Sequence, residues 1–575
     1  MTPFRECWAC DFEFRADPGE RPWPVCMVAR ELHSGREIRL WRDELLKLRS
    51  APFDTGADAV FVAYFASAEL GCFLALDWPP PVNVLDLYAE HRAETNGVPV
   101  PCGDGLLGAL AARGLAHMDL GEKAAMRALI LDNTAWTGPE QAAILDYCAT
   151  DVAALIALLP RMAPAIDWPR ALLRGRYMAA VARMEFAGVP IDTAMHQRMA
   201  AGWEPIKHQL VAEIDPAFGV FDGLTFKADR FADYLRAAGI DWPRFPSGQM
   251  MLDDTTFRDQ TLRWPQLLPL HELRATLANL RLTGLAVGAD GRNRCLLSPF
   301  RAVTGRNQPS NTRFVFGPAR WMRGLIRPPE GWGLAYVDFS SQEIAIAAAF
   351  SGDERMMAGY AIGDPYLAFA KAARLVPPDA TKATHPAIRD RCKAIVLGIG
   401  YGMAAESMAA RAGILPCEAR ELLRLHRDTY RQFWRWSDAI VSASLLTGSM
   451  TSVFGWKRRI GREPNARSLM NWPMQAGGAE MMRIAAIAGT EAGIEVCAPV
   501  HDAFLIAAPL DRLGSDVATM RALMSRAGRA VTGGLDVRTD AEVIRWPARY
   551  MDKRGAAMWD RVVRMLPAAG AKLAA

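Results

Sequence analysis

Two apolar stretches in the C-terminal half of the chain contain an aspartate at a strand end. In the first, residues 333–338 predict a short strand that closes on Asp338. Ser340 or Ser341 would then cap a helix through residues 343–349. A carboxylate at a buried strand end costs free energy unless a cation or hydrogen bonds compensate its charge. This stretch alone therefore fits either an aspartate that assists the helix cap or a metal ligand.

The second stretch, residues 494–506, has the pattern of two strands that meet at His501 and Asp502. Apolar residues on both sides of a short polar pair predict a hairpin. We therefore expect Asp502 at the tip of a hairpin.

The N-terminal part of the chain begins with a similar pattern. Residues 8–14 predict a strand, on which Asp11 and Glu13 point to the same side because strand side chains alternate. Two carboxylates in this arrangement can face one cation. A single Asp-x-Glu is nevertheless a weak signal when it is taken alone.

Three more polar residues follow at positions that could join this pair. Residues 60–64 predict a second strand, and Glu69 falls on the helix after it. Tyr147 and Asp151 are four residues apart, so they share one face if their segment is helical.

The segment 389–402 has the most specific pattern in the chain. Arg389, Lys393, Leu397 and Tyr401 recur every four residues and would form one stripe on a helix. Two cations followed by an apolar and an aromatic residue suit a nucleoside triphosphate, with charge for the phosphates and a flat surface for the base. The alternative is an amphipathic helix with a basic end, which does not explain the ordered change along the stripe.

Two further sets of polar residues have helical spacing. One set consists of Arg467, Asn471 and Gln475. The other consists of Arg320, Arg323 and Arg327. The second set predicts a basic stripe on one helix face, or an ordinary solvated face.

Composition favours a globular protein with several domains. The chain has 575 residues, of which 51% are hydrophobic and 23% charged. The net charge of +4 does not by itself indicate a polyanionic partner.

The cysteine pattern and the chain start carry little further signal. Cys7 and Cys10 form a CxxC without a second pair at zinc spacing, so we expect no zinc site. The start of the chain lacks the pattern of a signal peptide, and we expect no run long enough to span a bilayer. Reduced thiols in the cytoplasm are the default expectation.

The acidic residues of the N-terminal part resemble the DEDD-type 3′→5′ exonucleases, which carry four acidic residues and a tyrosine. Asp11 and Glu13 match the first motif, and Tyr147 and Asp151 match the third. The resemblance implies that the carboxylates hold two divalent metal ions, Mg²⁺ or Mn²⁺, and that the tyrosine orients the attacking water.

The second exonuclease motif departs from the family pattern. Glu69 stands where the family has aspartate, and Asp86 is the fallback ligand. The alternative is an exonuclease fold whose metal site has decayed.

The rest of the chain resembles the DNA polymerase I family, in a compact, phage-like form. The matching segments are residues 182–192, residues 301–308 with Arg306, the stripe from Arg389 to Tyr401, the set Arg467, Asn471 and Gln475, and the pair His501 and Asp502. Two departures are Leu397, where the family has an aromatic residue, and Ala503, where it has glutamate.

This resemblance implies a multidomain α/β architecture. A ribonuclease H-like exonuclease domain would occupy residues 1–165, and a right-hand polymerase residues 170–575. The thumb would span roughly 195–290, the fingers roughly 351–444, and the palm roughly 291–350 and 445–575.

The resemblance also implies the roles of the polymerase residues. Asp338 and Asp502 would hold two Mg²⁺ or Mn²⁺ ions, while Arg389 and Lys393 grip the triphosphate. Glu343 would exclude a ribose 2′-OH. The templating base would enter at Tyr401, His501 belongs to the nucleotide-binding set, and Leu397 would affect discrimination at the sugar. The DNA contacts would come from Arg306, Arg467, Asn471 and Gln475.

The expected partners are primer–template DNA, deoxynucleoside triphosphates and replication accessory proteins, with a monomeric chain and no membrane. Two alternatives remain open. One is an exonuclease whose polymerase body binds DNA but is inactive. The other is a DNA-binding module without catalysis, although such a module would not need acidic residues at the strand ends.

Overall fold

The computed structural model describes residues 2–115, 120–279, 284–317, 319–400, 402–463 and 465–566. Tyr401, the last member of the helical stripe, lies outside these ranges.

Five strands build the N-terminal sheet: β1 (Glu6–Arg15), β2 (Trp23–Glu31), β3 (Glu37–Trp41), β4 (Ala59–Ala63) and β5 (Val84–Asp86). They lie in the order β3-β2-β1-β4-β5. β1 pairs antiparallel with β2 and parallel with β4. The two strands predicted here are confirmed, and the strand that carries Asp11 and Glu13 is central in the sheet.

The helices of this region are α1 (Arg42–Leu45), α2 (Ser67–Ala75), α3 (Leu87–Thr95), α4 (Leu106–Ala111), α5 (Leu120–Leu131) and α6 (Gly138–Met162). α6 packs on β1 and β2 and buries Ile144, Val152 and Leu155. Its sequence places Tyr147 and Asp151 on one helix, as predicted.

One helical stretch, Gly138–Ala165, is long and apolar enough to cross a membrane by length and composition. The expectation that the chain has no such run is therefore wrong. The stretch contains α6, and the apolar residues of α6 pack against the strands of the N-terminal sheet. Its hydropathy is thus accounted for by core packing.

A long helix, α7 (Trp168–Ala187), connects the N-terminal region to the rest of the chain. It packs against α2 and β5. Gly175 permits the close approach, because a Cβ there would lie 1.8 Å from the carbonyl oxygen of Val84. Arg174 of α7 forms a buried ion pair with Glu90 of α3, with N–O distances of 2.6 and 2.7 Å.

The middle of the chain is mostly helical. It contains β6 (Val189–Pro190), α8 (Thr193–Ala201), α9 (Trp203–Ile214), β7 (Phe221–Asp222), β8 (Thr225–Phe226), α10 (Ala228–Ala237), α11 (Asp254–Arg263), α12 (Leu268–Asn279) and β9 (Arg292–Asn293). β9 pairs with β6 and returns the chain to the end of α7.

A second sheet contains the two apolar stretches that carry Asp338 and Asp502. Its strands are β10 (Trp332–Phe339), β13 (Glu495–Val500), β14 (Ala503–Pro509) and β15 (Thr539–Arg545). All pairings are antiparallel in the order β13-β14-β10-β15. The predicted strand before Asp338 and the predicted hairpin around Asp502 are both confirmed.

Helices and one small hairpin fill the chain between and after these strands. They are α13 (Gln342–Ser351), α14 (Glu354–Ala361), α15 (Pro365–Ala372), α16 (Pro386–Gly400), α17 (Ala405–Ala412), α18 (Pro416–Thr429), α19 (Arg431–Thr447), β11 (Ser449–Thr451), β12 (Lys457–Arg459), α20 (Ala466–Glu491), α21 (Leu513–Thr532) and α22 (Ala556–Arg564). α20 packs on α7, α13 and α21. One buried apolar cluster continues from Trp8 of the first sheet through Tyr177 of α7 to Val337 of the second.

The predicted stripe of three arginines is wrong. Arg323 lies in a short 3-10 helix, Arg320–Leu325, and its guanidinium is buried against Asp552 at 2.8 Å. Arg327 lies beyond that helix and pairs with Asp192 at 3.2 Å. Neither residue belongs to an open basic surface.

The predicted serine cap of α13 also differs from the structure. Ser341 occupies the N-cap position, but its backbone is left-handed at φ +55° and its side chain does not cap the helix. Ser340 instead donates a hydrogen bond to Asp540 at 2.5 Å. The helix therefore begins as predicted, but without the predicted hydrogen bond.

Candidate active sites

The second sheet brings Asp338 and Asp502 together at one end. Asp338 is near the end of β10, directly opposite Ala503, the first residue of β14. The backbone N–H of Phe339 donates to the carbonyl of Asp502 at 3.1 Å, which fixes the hairpin tip beside β10. Burial, followed by the charges of Asp502, Asp540 and Glu542, raises the pKa of Asp338 to about 6. Burial also raises the pKa of Asp502.

Asp540 and Glu542 are acidic neighbours that sequence reasoning missed. Asp540 lies opposite Asp338 in the register of β10 and β15, and Glu542 lies opposite Tyr336. Opposed residues of an antiparallel pair point to the same face at Cβ distances of about 5 Å. The alternation of the two acids along residues 539–545 was a signal for a strand with an acidic face.

His501 occupies the hairpin turn with a left-handed backbone at φ +58°. Burial lowers the pKa of its imidazole. The charge of the adjacent Asp502 opposes this shift and raises the pKa of His501.

Glu343 begins α13 and lies between two other predicted site elements. Its Oε1 is 3.8 Å from Nη2 of Arg306. A Cβ on Gly400, the last residue of α16, would lie 3.9 Å from Oε2 of Glu343. Glu343 and Leu397 also line one cavity, together with Ile344, Val396 and Met474. The structure therefore brings Arg306, Glu343 and Leu397 into one neighbourhood.

Arg389 and Lys393 lie on α16, as the stripe predicts. Arg389 pairs through Nε with Oδ2 of Asp364 at 2.5 Å, and Asp364 itself caps α15. Both cations face the ring of Tyr366, at 5.4 and 5.8 Å from its centroid. Tyr366 also forms a side-chain hydrogen bond with Ser341, so it joins the cations to the start of α13. Sequence reasoning missed Asp364 and Tyr366.

Arg467, Asn471 and Gln475 lie on α20, which continues through Pro473. Arg467 is exposed, whereas Asn471 and Gln475 are half-buried. Oδ1 of Asn471 has no hydrogen-bond partner among the described residues. A Cβ on Gly402 would lie 2.8 Å from Cβ of Arg467, so the segment after α16 runs close to α20.

The first sheet gathers a separate set of carboxylates. Ligand atoms of Asp11, Glu13 and Cys148 all lie within 4.8 Å of one another. Oε2 of Glu69 accepts the backbone N–H of Phe12 at 2.8 Å, which places Glu69 between Asp11 and Glu13 along β1. Carboxylates in such a group fit a hard divalent cation.

Burial and repulsion between neighbouring carboxylates raise the pKa values of the residues in this set. Burial, followed by the charge of Asp151, raises the pKa of Asp11 to about 8. Burial, followed by the charge of Asp11, raises the pKa of Glu13 and of Glu69. Burial, followed by the charge of Asp151, also raises the pKa of Tyr147. The structure thus brings together the four predicted acids and the tyrosine.

Two residues of this set were not anticipated. Cys148 donates its thiol to the carbonyl and to Oδ2 of Asp11, at 3.3 and 3.4 Å. Lys123 of α5 binds Asp151. Cys148 could have been suspected because it follows Tyr147 directly, whereas Lys123 is 28 residues from Asp151 in the chain.

The fallback ligand, Asp86, has a different role. Its carboxylate accepts the backbone N–H of Ala89 at 2.8 Å and of Ala66 at 2.6 Å, and it caps α3. Burial raises the pKa of Asp86 to about 7. The fallback assignment is therefore wrong, because both oxygens are committed to helix starts.

Sequence comparison matches the region of the second sheet. Residues 307–544 match the family model for DNA polymerase family A. A thermostable DNA polymerase I of Thermus thermophilus is 26% identical over 256 residues, covering 41% of this chain and 30% of that protein. DNA polymerase I of Chloroflexus aurantiacus is 27% identical over 269 residues, covering 43% and 28%. The matched part of this chain thus spans less than a third of each relative.

A solved structure matches over a longer range. The POL domain of Pol1 from M. smegmatis, in complex with DNA primer-template and dNTP, superposes with a TM-score of 0.70 at 19% identity. The superposition covers 96% of both chains and shows a common fold. Residues 307–544, which carry Asp338, Arg389, Lys393 and Asp502, are therefore the part of this chain that is similar to DNA polymerase family A.

Proposed function

We propose that the chain is a template-directed DNA polymerase that adds deoxynucleotides to a primer 3′-OH. The observation that carries this proposal is the pairing of Asp338 with Asp502 at one end of the second sheet. Both residues lie inside the segment that matches DNA polymerase family A. The relatives that share this segment are DNA polymerases by name.

The proposed architecture is a right hand. The second sheet with α20 and α21 forms the palm, the helices between residues 351 and 444 form the fingers, and the helices between 195 and 290 form the thumb. The N-terminal sheet supports a ribonuclease H-like exonuclease domain, because β3, β2 and β1 pair antiparallel while β1, β4 and β5 pair parallel.

Asp338 and Asp502 would hold two Mg²⁺ or Mn²⁺ ions. Bound there, the ions would activate the primer 3′-OH and neutralise charge on the triphosphate. Carboxylates with raised pKa values gain from a cation, because it relieves the repulsion that burial and neighbouring acids impose. Asp540 and Glu542 strengthen the negative field of this sheet end.

Arg389 and Lys393 would bind the triphosphate. Asp364 holds the Arg389 guanidinium before any substrate arrives. An incoming triphosphate would have to share the Arg389 guanidinium with Asp364 or displace Asp364 from it. The ion pair therefore orients Arg389 in advance, and Arg389 leaves Asp364 only when another anion, such as the triphosphate, binds to it. The aromatic face of Tyr366 supports both cations.

Glu343 would exclude a ribose 2′-OH from the nucleotide site. Its position between Arg306 and the end of α16 supports this role, because both neighbours belong to predicted DNA or nucleotide contacts. Arg306, Arg467, Asn471 and Gln475 would contact the primer–template.

We further propose that the first sheet carries a 3′→5′ exonuclease. Asp11, Glu13, Glu69 and Asp151 would hold two divalent ions that generate the attacking hydroxide and stabilise the leaving oxygen. Tyr147 would orient the attacking water from α6. The convergence of these five side chains from β1, α2 and α6 supports the proposal.

A primer-extension assay with four deoxynucleotides and Mg²⁺ tests the polymerase proposal. We expect extension by the full chain, and primer shortening when nucleotides are omitted. Asp11→Ala should abolish shortening and leave extension intact. Shortening without extension would instead support an exonuclease with an inactive polymerase body.

A further inference from the structure

Lys123 points into the carboxylate set of the first sheet. It lies on α5, and its Nζ is 2.9 Å from Oδ2 and 3.2 Å from Oδ1 of Asp151. The Asp151 side chain is only 14% exposed, and that of Lys123 is 31% exposed. The ammonium therefore spans both oxygens of a largely buried carboxylate in a charge-assisted contact.

Among the described residues, no cation forms a comparable pair with Asp11, Glu13 or Glu69. Across the described ranges, Lys123 is the only lysine, arginine or histidine within ion-pair distance of Asp11, Glu13, Glu69 or Asp151. Its charge lowers the pKa of Asp11 and of Glu13, although burial outweighs it at both. Its Nζ also lies 5.7 Å from the centroid of the Tyr147 ring. One side chain thus balances part of a concentrated negative charge.

We infer that Lys123 is an internal counter-ion that competes with a divalent cation for Asp151 and thereby sets the metal requirement of the exonuclease site. This inference rests on the proposed exonuclease function. It makes Lys123 a positioning residue, since it acts through Asp151.

The competition follows from geometry and charge. Mg²⁺ binds carboxylate oxygens at about 2.1 Å. An ammonium that bridges both oxygens of Asp151 would then face a doubly charged ion within a few ångströms, in a partly dehydrated site where screening is weak. Metal loading therefore requires Lys123 to leave Asp151, and its partial exposure leaves the side chain a route to solvent.

The test measures Mn²⁺ binding to the full chain by electron paramagnetic resonance. The background carries Asp338→Asn and Asp502→Asn, so that binding reports on the first sheet. We expect Lys123→Met and Lys123→Gln each to tighten Mn²⁺ binding about tenfold, because a positive charge beside the ligands is removed. Lys123→Arg should keep the parent affinity to within about twofold.

Arg127→Met is the matched control. Arg127 is exposed one turn further along α5, so this variant removes the same formal charge from the same helix. Its Mn²⁺ affinity should change by less than about twofold because screening by water weakens a distant exposed charge. Thermal unfolding without metal checks that each variant is folded.

Two results would overturn the inference in different ways. If Mn²⁺ binding depends on Asp11 but Lys123→Met and Lys123→Gln bind no tighter than the parent, the role of Lys123 is wrong and the metal site stands. If Asp11→Ala leaves Mn²⁺ binding unchanged, the exonuclease site fails and the inference fails with it. In a chain that keeps Asp338 and Asp502, Lys123→Met should lower the Mn²⁺ concentration that gives half-maximal primer shortening.

Discussion

The two carboxylate sets of this chain differ in how their negative charge is compensated. In the first sheet, Glu69 and Asp151 are largely buried, and Lys123 supplies a cation at 2.9 Å from Asp151. In the second sheet, Asp338 and Asp502 are half-buried. The positive charges that act on Asp502 are those of His501 and Arg306, which lower its pKa although burial outweighs them. The first set thus contains an ion pair to one of its own carboxylates, whereas no ion pair to Asp338 or Asp502 is formed among the described residues.

If the first set binds a divalent ion, it has to do so beside Lys123, which already pairs with Asp151. If Arg389 binds a triphosphate, it has to do so beside Asp364, which already pairs with its guanidinium. In both proposed sites, a bound ligand would therefore have to share or replace an existing ion pair.

The largest expected effect is from Asp502→Asn. The substitution keeps the shape of the hairpin tip but removes a charge that would hold the ions, so extension should fall by about a thousandfold. Primer shortening should remain within about twofold of wild type, because the first sheet is untouched. Rates of single-nucleotide addition and of shortening on the same primer measure both effects.

Asp516→Asn is a suitable control, since that aspartate lies on α21, which packs on β10, but pairs with Arg512 at the start of the helix. It should leave both rates unchanged. Equal losses of extension and shortening in Asp502→Asn would contradict two independent sites.

The second prediction concerns the junction between the two regions. Arg174→Met leaves Glu90 buried without its partner, and the two N–O contacts of 2.6 and 2.7 Å are lost. Breaking a buried pair in this way should destabilise the protein by about 3 kcal/mol. The midpoint of urea unfolding, followed by tryptophan fluorescence, should therefore fall.

Arg176→Met tests the same helix at an exposed ion pair with Glu491. Exposed pairs contribute at most about 1 kcal/mol, so its unfolding midpoint should hardly move. If both variants shift equally, the buried pair is not what stabilises the junction.

The third prediction concerns sugar selection in the second site. Glu343→Ala removes the carboxylate beside Arg306 and the end of α16. If Glu343 excludes a 2′-OH, the preference for deoxynucleotides over ribonucleotides should fall by tens of fold, or roughly 2 kcal/mol. The ratio of kcat/KM values for the two sugars measures it. Glu354→Ala, at an exposed position at the start of α14, is the control.

The extent to which these sites follow from sequence depends on the range of each interaction. β10, the hairpin at Asp502 and the helix at Arg389 were predictable because apolar periodicity and turn residues act locally. Asp540 was missed because it lies opposite Asp338 only through the pairing of β10 with β15, and the two residues are 202 positions apart in the sequence.

The same reasoning explains the errors. Arg320, Arg323 and Arg327 have helical spacing, yet Arg323 is buried because Asp552, 229 residues away, compensates its charge. Asp86 resembled a spare ligand, yet two backbone N–H groups that converge in the fold occupy its oxygens. Residue type and spacing indicate which groups can bind a cation, and only tertiary contacts decide which of them remain available.

The smallest expected effect, and the one that compares the sites most directly, is their pH dependence at limiting Mn²⁺. Burial, followed by Asp502, raises the pKa of Asp338 to about 6, whereas burial, followed by Asp151, raises that of Asp11 to about 8. Each acid must be deprotonated to hold a cation, so activity is lost as the pH falls through its pKa. Extension should therefore decline by about tenfold per pH unit below pH 6, and shortening should decline already below pH 8.

Saturating Mn²⁺ should move both midpoints to lower pH, because the cation favours the ionised carboxylates. Midpoints that coincide, or a shortening midpoint below that of extension, would show that burial does not separate the two sites.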